Sequence, residues 1–206
     1  LSRFFRLLTE YAGAGVFNPW TDVDAAMDRP RNPAHARRER LRAHLAVRPR
    51  LLLIGEAAGY QGCHVTGIPF TSERLLMAGG IPRLSHAGQR LSRRHLPWSE
   101  PSATTIWAAL HESGIAADTI LWNAFPWHPY RPGSLQSNRT PTPAERIRGL
   151  PVLEALLAAF PTAAVAAVGR HAEQSLADCG QRAFPLRHPS MGGVTAFRRG
   201  LKQLVL

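Results

Sequence analysis

A chain of 206 residues is long enough for one domain with a full core, and 45% apolar with 19% charged residues excludes wholesale disorder. Its two cysteines, Cys63 and Cys179, form no CxxC and are too few for a zinc ribbon or an iron–sulfur cluster, which fits a reducing cytoplasm. Against 14 acids stand 25 basic residues, all arginine except Lys202, and the net charge of +11 points to a polyanionic partner. 

A GC-rich genome accounts for arginine over lysine but not for the excess over acids. That excess favours nucleic acid, because each arginine–phosphate contact releases counterions and offers two donors. No apolar run approaches the roughly 18 residues of a membrane span. No stretch pairs a basic face with a broad Trp/Phe/Leu face, and the first residues lack a signal-peptide layout, so no membrane partner is expected.

Residues 2–11 read as a short amphipathic helix, with Phe4, Phe5, Leu7 and Leu8 on its apolar side and Asn18-Pro19-Trp20 breaking it. Pro33 opens a basic helix running to about Val47 and carrying Arg37, Arg38, Arg40 and Arg42; Pro49 ends it. Leu51-Leu52-Leu53-Ile54, stopped by Gly55, is the kind of short continuous apolar run that makes a buried parallel strand. Residues 119–122, 163–168 and 183–186 repeat that pattern. Helical stretches at 72–78, 102–113, 142–160, 170–179 and 194–204 separate or follow these runs. Thr142-Pro143-Ala144-Glu145 is a capping box with proline at the first helical position.

Strands alternating with helices predict a three-layer α/β/α fold around a central four-stranded parallel sheet. Residues 1–48 are expected as a helical extension packed on the core, and 49–206 as the α/β domain. The longest irregular stretch, 81–101, holds Arg83, Arg90, Arg93 and Arg94. With the basic helix, it is expected to offer phosphate contacts and a steep salt dependence of DNA affinity.

Ligands of open α/β sheets bind beyond the carboxyl ends of the strands. After the first strand comes Gly55-Glu56-Ala57-Ala58-Gly59-Tyr60, then Thr66-Gly67-Ile68-Pro69-Phe70; after the second, Asn123-Ala124-Phe125-Pro126-Trp127-His128. Gly169-Arg170 follows the third and His188-Pro189-Ser190 the fourth. An acid, an amide, an aromatic ring and a histidine thus converge at one edge. That set suits a planar heterocycle: Phe70 to stack, Asn123 to donate and accept, His188 to stabilise negative charge. Each has a plainer use: Glu56 could hold amides of a Gly-rich turn, Asn123 could cap a loop, and Phe70 could be core. The Gly-rich loop is neither GxGxxG nor GxxxxGK[ST], so no nucleotide cofactor is expected. His64, His128 and His188 are the candidate metal ligands, but they are widely spaced with no HxH or HExxH, so no metal is expected either.

Residues 55–70, Asn123 and His188-Pro189-Ser190 resemble the three motifs of the uracil-DNA glycosylase superfamily. The first motif, with Gly55, Gly59, Gly62 and Thr66-Gly67-Ile68-Pro69-Phe70, is most similar to the single-strand-selective monofunctional branch. Gly55-Glu56 with Pro69-Phe70 also resembles the iron–sulfur branch, whose cluster cysteines are absent. The resemblance implies hydrolysis of the N-glycosidic bond of a flipped-out base, most simply uracil, in single- or double-stranded DNA, by a monomer at the bacterial nucleoid. It implies that Gly55, Gly59, Tyr60, Phe70 and Asn123 bind the base, that Glu56 positions water and that His188 bonds the departing anion at O2. It assigns Ser190, Met191, Gly192 and Arg170 to the DNA, with Met191 as the wedge filling the vacated stack. Two departures qualify the implication. Ala57 stands where two branches hold a catalytic Asp or Asn, and Gly59 stands where the most efficient branch holds the thymine-excluding tyrosine, with Tyr60 one place on. A binding module that keeps base recognition without cleavage, or a glycosylase for hypoxanthine or xanthine, is the alternative.

Overall fold

The computed structural model describes residues 1–29, 32–84 and 90–205. Residues 85–89, part of the expected irregular stretch, lie outside them. The four apolar runs are strands: β2 (Leu51–Ala57), β3 (Thr119–Phe125), β5 (Ala164–Val168) and β6 (Phe184–Leu186), all parallel in the order β3-β2-β5-β6. The chain moves outward from β2 to β3, then crosses back over β2 to reach β5. The sheet therefore reverses direction between β2 and β5, and a crevice opens at that point beyond their carboxyl ends.

Side-chain alternation along each strand builds two cores. Leu52, Ile54, Ile120, Trp122 and Ala167 point to one face, where α1 (Ser2–Glu10) contributes Phe4 and Leu8, and α6 (Pro143–Ala159) contributes Val152, Leu153 and Leu156. Leu51, Leu53, Leu121, Ala166 and Val168 point to the other, against Ile106, Trp107 and Leu110 of α5 (Pro101–Glu112) and Phe197 and Leu201 of α8 (Val194–Val205). Phe4 and Leu8 are fully buried, so α1 belongs to the same core as the sheet. Asn18 explains the end of α1: its side-chain amide donates to Leu8 O and Tyr11 O, two carbonyls the helix leaves unpaired. The capping box at Thr142 forms with both of its bonds, from Glu145 N to the hydroxyl and from Thr142 N to the carboxylate.

Three elements escape a reading by periodicity because each is too short to show one. They are β1 (Val16–Phe17), paired antiparallel with β4 (His128–Pro129), and the single-turn α3 (Cys63–Thr66). The remaining short helix, α4 (Glu73–Met77), lies where the sequence places it.

The basic segments correct the sequence expectation. In α2 (Pro33–Leu45), Arg37 is fully buried; it pairs with Asp28 and donates to Pro19 O, Asp22 O and Val65 O. Arg38 donates to Trp20 O, Arg40 is buried, and Arg42 pairs with Glu39. Arg90 pairs with buried Glu73, whose carboxylate also accepts from Ser92 N, Ser92 Oγ and Trp98 N. Arg83 serves the sheet: its guanidinium donates to Ala117 O and Thr119 O at the outer edge of β3. Beside it, His44 of α2 accepts the outward N–H of Leu121 at 3.0 Å. The cause is fold-level, since an edge strand and loops crossing a core need donors inside the protein. Of these arginines, Arg42, Arg93 and Arg94 are exposed, and Arg42 is paired with Glu39.

Three buried histidines share one consequence. Burial, with Arg83 nearby, pushes His44 down to about 3; burial and the neighbouring His64 push His128 down to about 3. His64, bonded to His128 Nδ1–Nδ1 at 2.9 Å and 3.4 Å from Asp24, is lowered as well, chiefly by burial. The unfolded chain binds these protons below its ordinary 6.5, whereas folded His44 and His128 stay neutral to about 3. Stability is therefore full above that upper value and falls as the pH drops through the window. Each of the two histidines contributes about 1.4 kcal/mol per pH unit, so chemical denaturation is expected to show a loss of roughly 3 kcal/mol between pH 7.5 and 5.5. A stability flat across that range would contradict their neutral burial.

Candidate active site

A cleft of about 840 Å³ opens at the carboxyl ends of the strands, at the point where the strand order reverses. Glu56, Phe70 and His188 all line it. Asn123 stands behind Phe70, buried to 1% exposure on β3. The parallel register sets Gly55 beside Asn123, and this dictates the residue type at 55. A Cβ there would overlap the Phe70 ring and lie 2.7 Å from Asn123 Oδ1, so only glycine lets the ring and the amide approach the same point.

Phe70 is held in an unusual conformation. Its φ is +50°, in the left-handed region that β-carbon-bearing residues avoid, at a cost of about 1–3 kcal/mol. Trp107 Nε1 donates to Phe70 O at 2.9 Å, and Thr66 Oγ1 donates to Thr71 O at 2.9 Å; these bonds fix the turn that turns the ring toward the cleft. The ring is buried in the apolar layer and also forms part of the cleft wall.

Two polar atoms here lack partners. Asn123 Oδ1 and Glu56 Oε1 are both inaccessible to solvent and receive no hydrogen bond from the described residues. A buried acceptor left unpaired costs about 1–3 kcal/mol, so such atoms gather where a ligand supplies the donor.

His188 follows β6, and its tautomer is set by the backbone. Ser190 N donates to Nδ1 at 3.1 Å, and Ser190 Oγ lies 2.7 Å from the same nitrogen. An N–H can only donate, so Nδ1 is the acceptor and Nε2 carries the proton. Burial, then the adjacent Arg187 charge, lowers the affinity of the ring for a second proton. The residue is thus a neutral imidazole whose Nε2–H meets no acceptor among the described residues.

The other residues singled out from sequence divide. Gly59, Ser190 and Arg170 line the cleft; Arg170 opens α7 (Arg170–Asp178), whose amino end points positive potential at it. Tyr60 does not line it: its ring packs edge-on against Trp98 at 5.4 Å and its N–H binds Asn138 Oδ1. Met191 and Gly192 occupy the turn after Ser190, with φ of +51° and +76°, and the Met191 side chain is 91% exposed. His64 and His128 pair with each other in the interior, apart from His188, and no group of three metal-binding side chains forms among the described residues.

Sequence reasoning passed over three groups in the cleft. Arg131 and Arg187 are exposed on its wall with no acid partner among the described residues. Glu100, at the amino end of α5, lines it too. A glutamate before proline reads as a helix start, and that local signal hides its position over the site.

The sequence matches the family described as the uracil DNA glycosylase superfamily over residues 43–203. No curated protein matches it. Among solved structures, it is similar to the crystal structure of wild-type SMUG2 from Pedobacter heparinus, with a TM-score of 0.64 at 14% identity. That likeness covers 99% of this chain and 94% of the other, and at such identity it speaks for the fold.

Proposed function

The protein belongs to the uracil DNA glycosylase superfamily, and on that premise we propose that it hydrolyses the N-glycosidic bond of uracil flipped out of DNA, as the first step of base excision repair. The observation that carries the reading is the unpaired Asn123 Oδ1 behind the Phe70 ring, in a site that also presents a free imidazole N–H and a carboxylate. A lactam ring supplies what that acceptor lacks, an N–H, and offers a face to Phe70.

In this reading, the base leaves the stack and enters the cleft, with Met191 filling the gap behind it. Gly55 and Gly59 give it room. Asn123 accepts from N3–H and donates to O4. As the C1′–N bond lengthens, its electron pair moves onto the base, and His188 Nε2–H bonds O2 where charge collects. Glu56 holds a water against the cationic sugar; the water oxygen bonds C1′, and its proton passes to the carboxylate. Ser190, Gly192 and Arg170 grip the phosphates that flank the extrahelical nucleotide. Tyr60, whose ring faces Trp98, supports the loop through its backbone.

Single-turnover assays on oligonucleotides carrying uracil, hypoxanthine, xanthine or a thymine mismatch, scored for abasic sites, test this directly. Uracil is expected to be cleaved fastest, and tight binding without abasic product on any substrate would overturn catalysis in favour of recognition alone.

The exposed arginines of the cleft carry a second expectation. Each phosphate neutralised adds about 0.9 to the slope of log affinity against log salt on duplex DNA. Replacing Arg131, Arg170 and Arg187 together by alanine is expected to flatten that slope by roughly 3. Replacing Arg37, Arg38 and Arg40 of α2 together is expected to unfold the protein instead, since Arg37 and Arg38 hold loops to the core and Arg40 is buried.

A further inference from the structure

We propose that Glu100 contacts the extrahelical base and donates a hydrogen bond to it through its carboxyl O–H; this rests on the glycosylase reading above. The residue lies on the cleft wall with Phe70, Glu56 and His188, at the last position before α5 begins. Its carboxyl group is unengaged: it caps none of the α5 amides and has no ion pair or side-chain hydrogen bond among the described residues. Its Oε2 lies against Gly62 of the opposing loop, where an added Cβ would displace the carboxyl group.

The surroundings favour a neutral acid. Burial alone raises the group from 4.5 to about 7. The titratable group beside it is Cys63 on α3, whose own thiol is pushed up by burial and then by the Glu100 charge. Elsewhere on the cleft wall stand Glu56, His171, His188 and the arginines Arg131, Arg139, Arg170 and Arg187. Arg139 is spent on Glu145 through both carboxylate oxygens, and among the described residues no arginine pairs with Glu100. A carboxylic acid keeps one O–H donor, and each base carbonyl has a second lone pair beyond the one that Asn123 or His188 engages, so the Glu100 O–H can donate to a carbonyl of the base. Once ionised it only accepts and repels a base that is gathering negative charge.

The test is the pH profile of single-turnover uracil excision by the parent, Glu100→Gln and Glu100→Ala, with thermal melts confirming folding. The parent is expected to lose rate as the pH rises through about 7. Glu100→Gln keeps a donor and an acceptor but cannot ionise; it is expected to retain at least about a tenth of the parental rate below that pH and to show no such limb. Glu100→Ala is expected to be about tenfold or more slower at low pH, with the limb also gone. An upper limb shared by the parent and Glu100→Gln, or a parental rate in Glu100→Ala, overturns the proposal while leaving the glycosylase reading intact. If Glu100→Ala does not fold, the profile of Glu100→Gln decides. A parent that excises no base at all removes both.

Discussion

His188→Ala is expected to lose about 100- to 1000-fold of the single-turnover excision rate, with little change in DNA affinity or melting temperature. The size follows from timing: the base is neutral when bound and anionic when it leaves, so a donor at O2 strengthens as the bond breaks. Ser190 N–H fixes the proton on Nε2 before the substrate arrives, so no reorientation is needed at the critical moment. Solvent cannot replace this donor as well, because water is not held in place. The ring is partly exposed and supports little of the core, which is why the melting temperature should hold. Glu56→Gln, which can still hold the water through its amide but cannot take its proton, is expected to be milder, because the C1′–N bond breaks before that proton is lost. If His188→Ala excises uracil within a few-fold of the parent, the leaving group is stabilised by something else.

Asn123→Asp is expected to cost about 100-fold, roughly 3 kcal/mol, in uracil excision. The amide both donates and accepts, whereas a carboxylate only accepts and faces the electron-rich O4. The loss should depend on pH in a telling direction. Position 123 is almost fully buried, so an aspartate there resists ionisation, and in its protonated form it regains a donor. The mutant is therefore expected to recover part of its deficit as the pH is lowered, measured relative to the parent at each pH. A uniform deficit would show that the amide acts on the fold of β3 rather than on the base.

Much of this architecture can be read from the chain because its strands are short apolar runs; β5 stops at Gly169 and β6 before His188, whereas β2 and β3 run on through Gly55 and Asn123 and stop after Ala57 and Phe125. The same stops place the site, since a parallel sheet gathers whatever follows each strand at one edge. What cannot be read that way is partnership across distance. Arg37 and Arg93 look alike in a run of positive charge, yet one is locked to Asp28 and three carbonyls and the other is solvated. Glu100 and Gly62 are 38 positions apart, and nothing local couples an acid before proline to a glycine in a loop. The His64–His128 pair likewise depends on β1 and β4, each two residues long and without a period to detect.

The treatment of the sheet margins bears on how copies of this protein tolerate crowding. An arginine-rich chain gathered on a polyanion is brought close to others like it, and a strand with free N–H and C=O groups would then recruit the next copy. Here His44 and Arg83 occupy the outer groups of β3 at Leu121 and Thr119. At the far margin, β6 is three residues long, and its middle residue, Pro185, has no N–H to offer. Neither of these margins gives a neighbour a register to extend, which disfavours edge-to-edge pairing between copies. Arg83, one of the arginines that make the chain so basic, and the neutral His44 thus act as guards against self-templating, and their worth would appear in solubility long before it appeared in turnover.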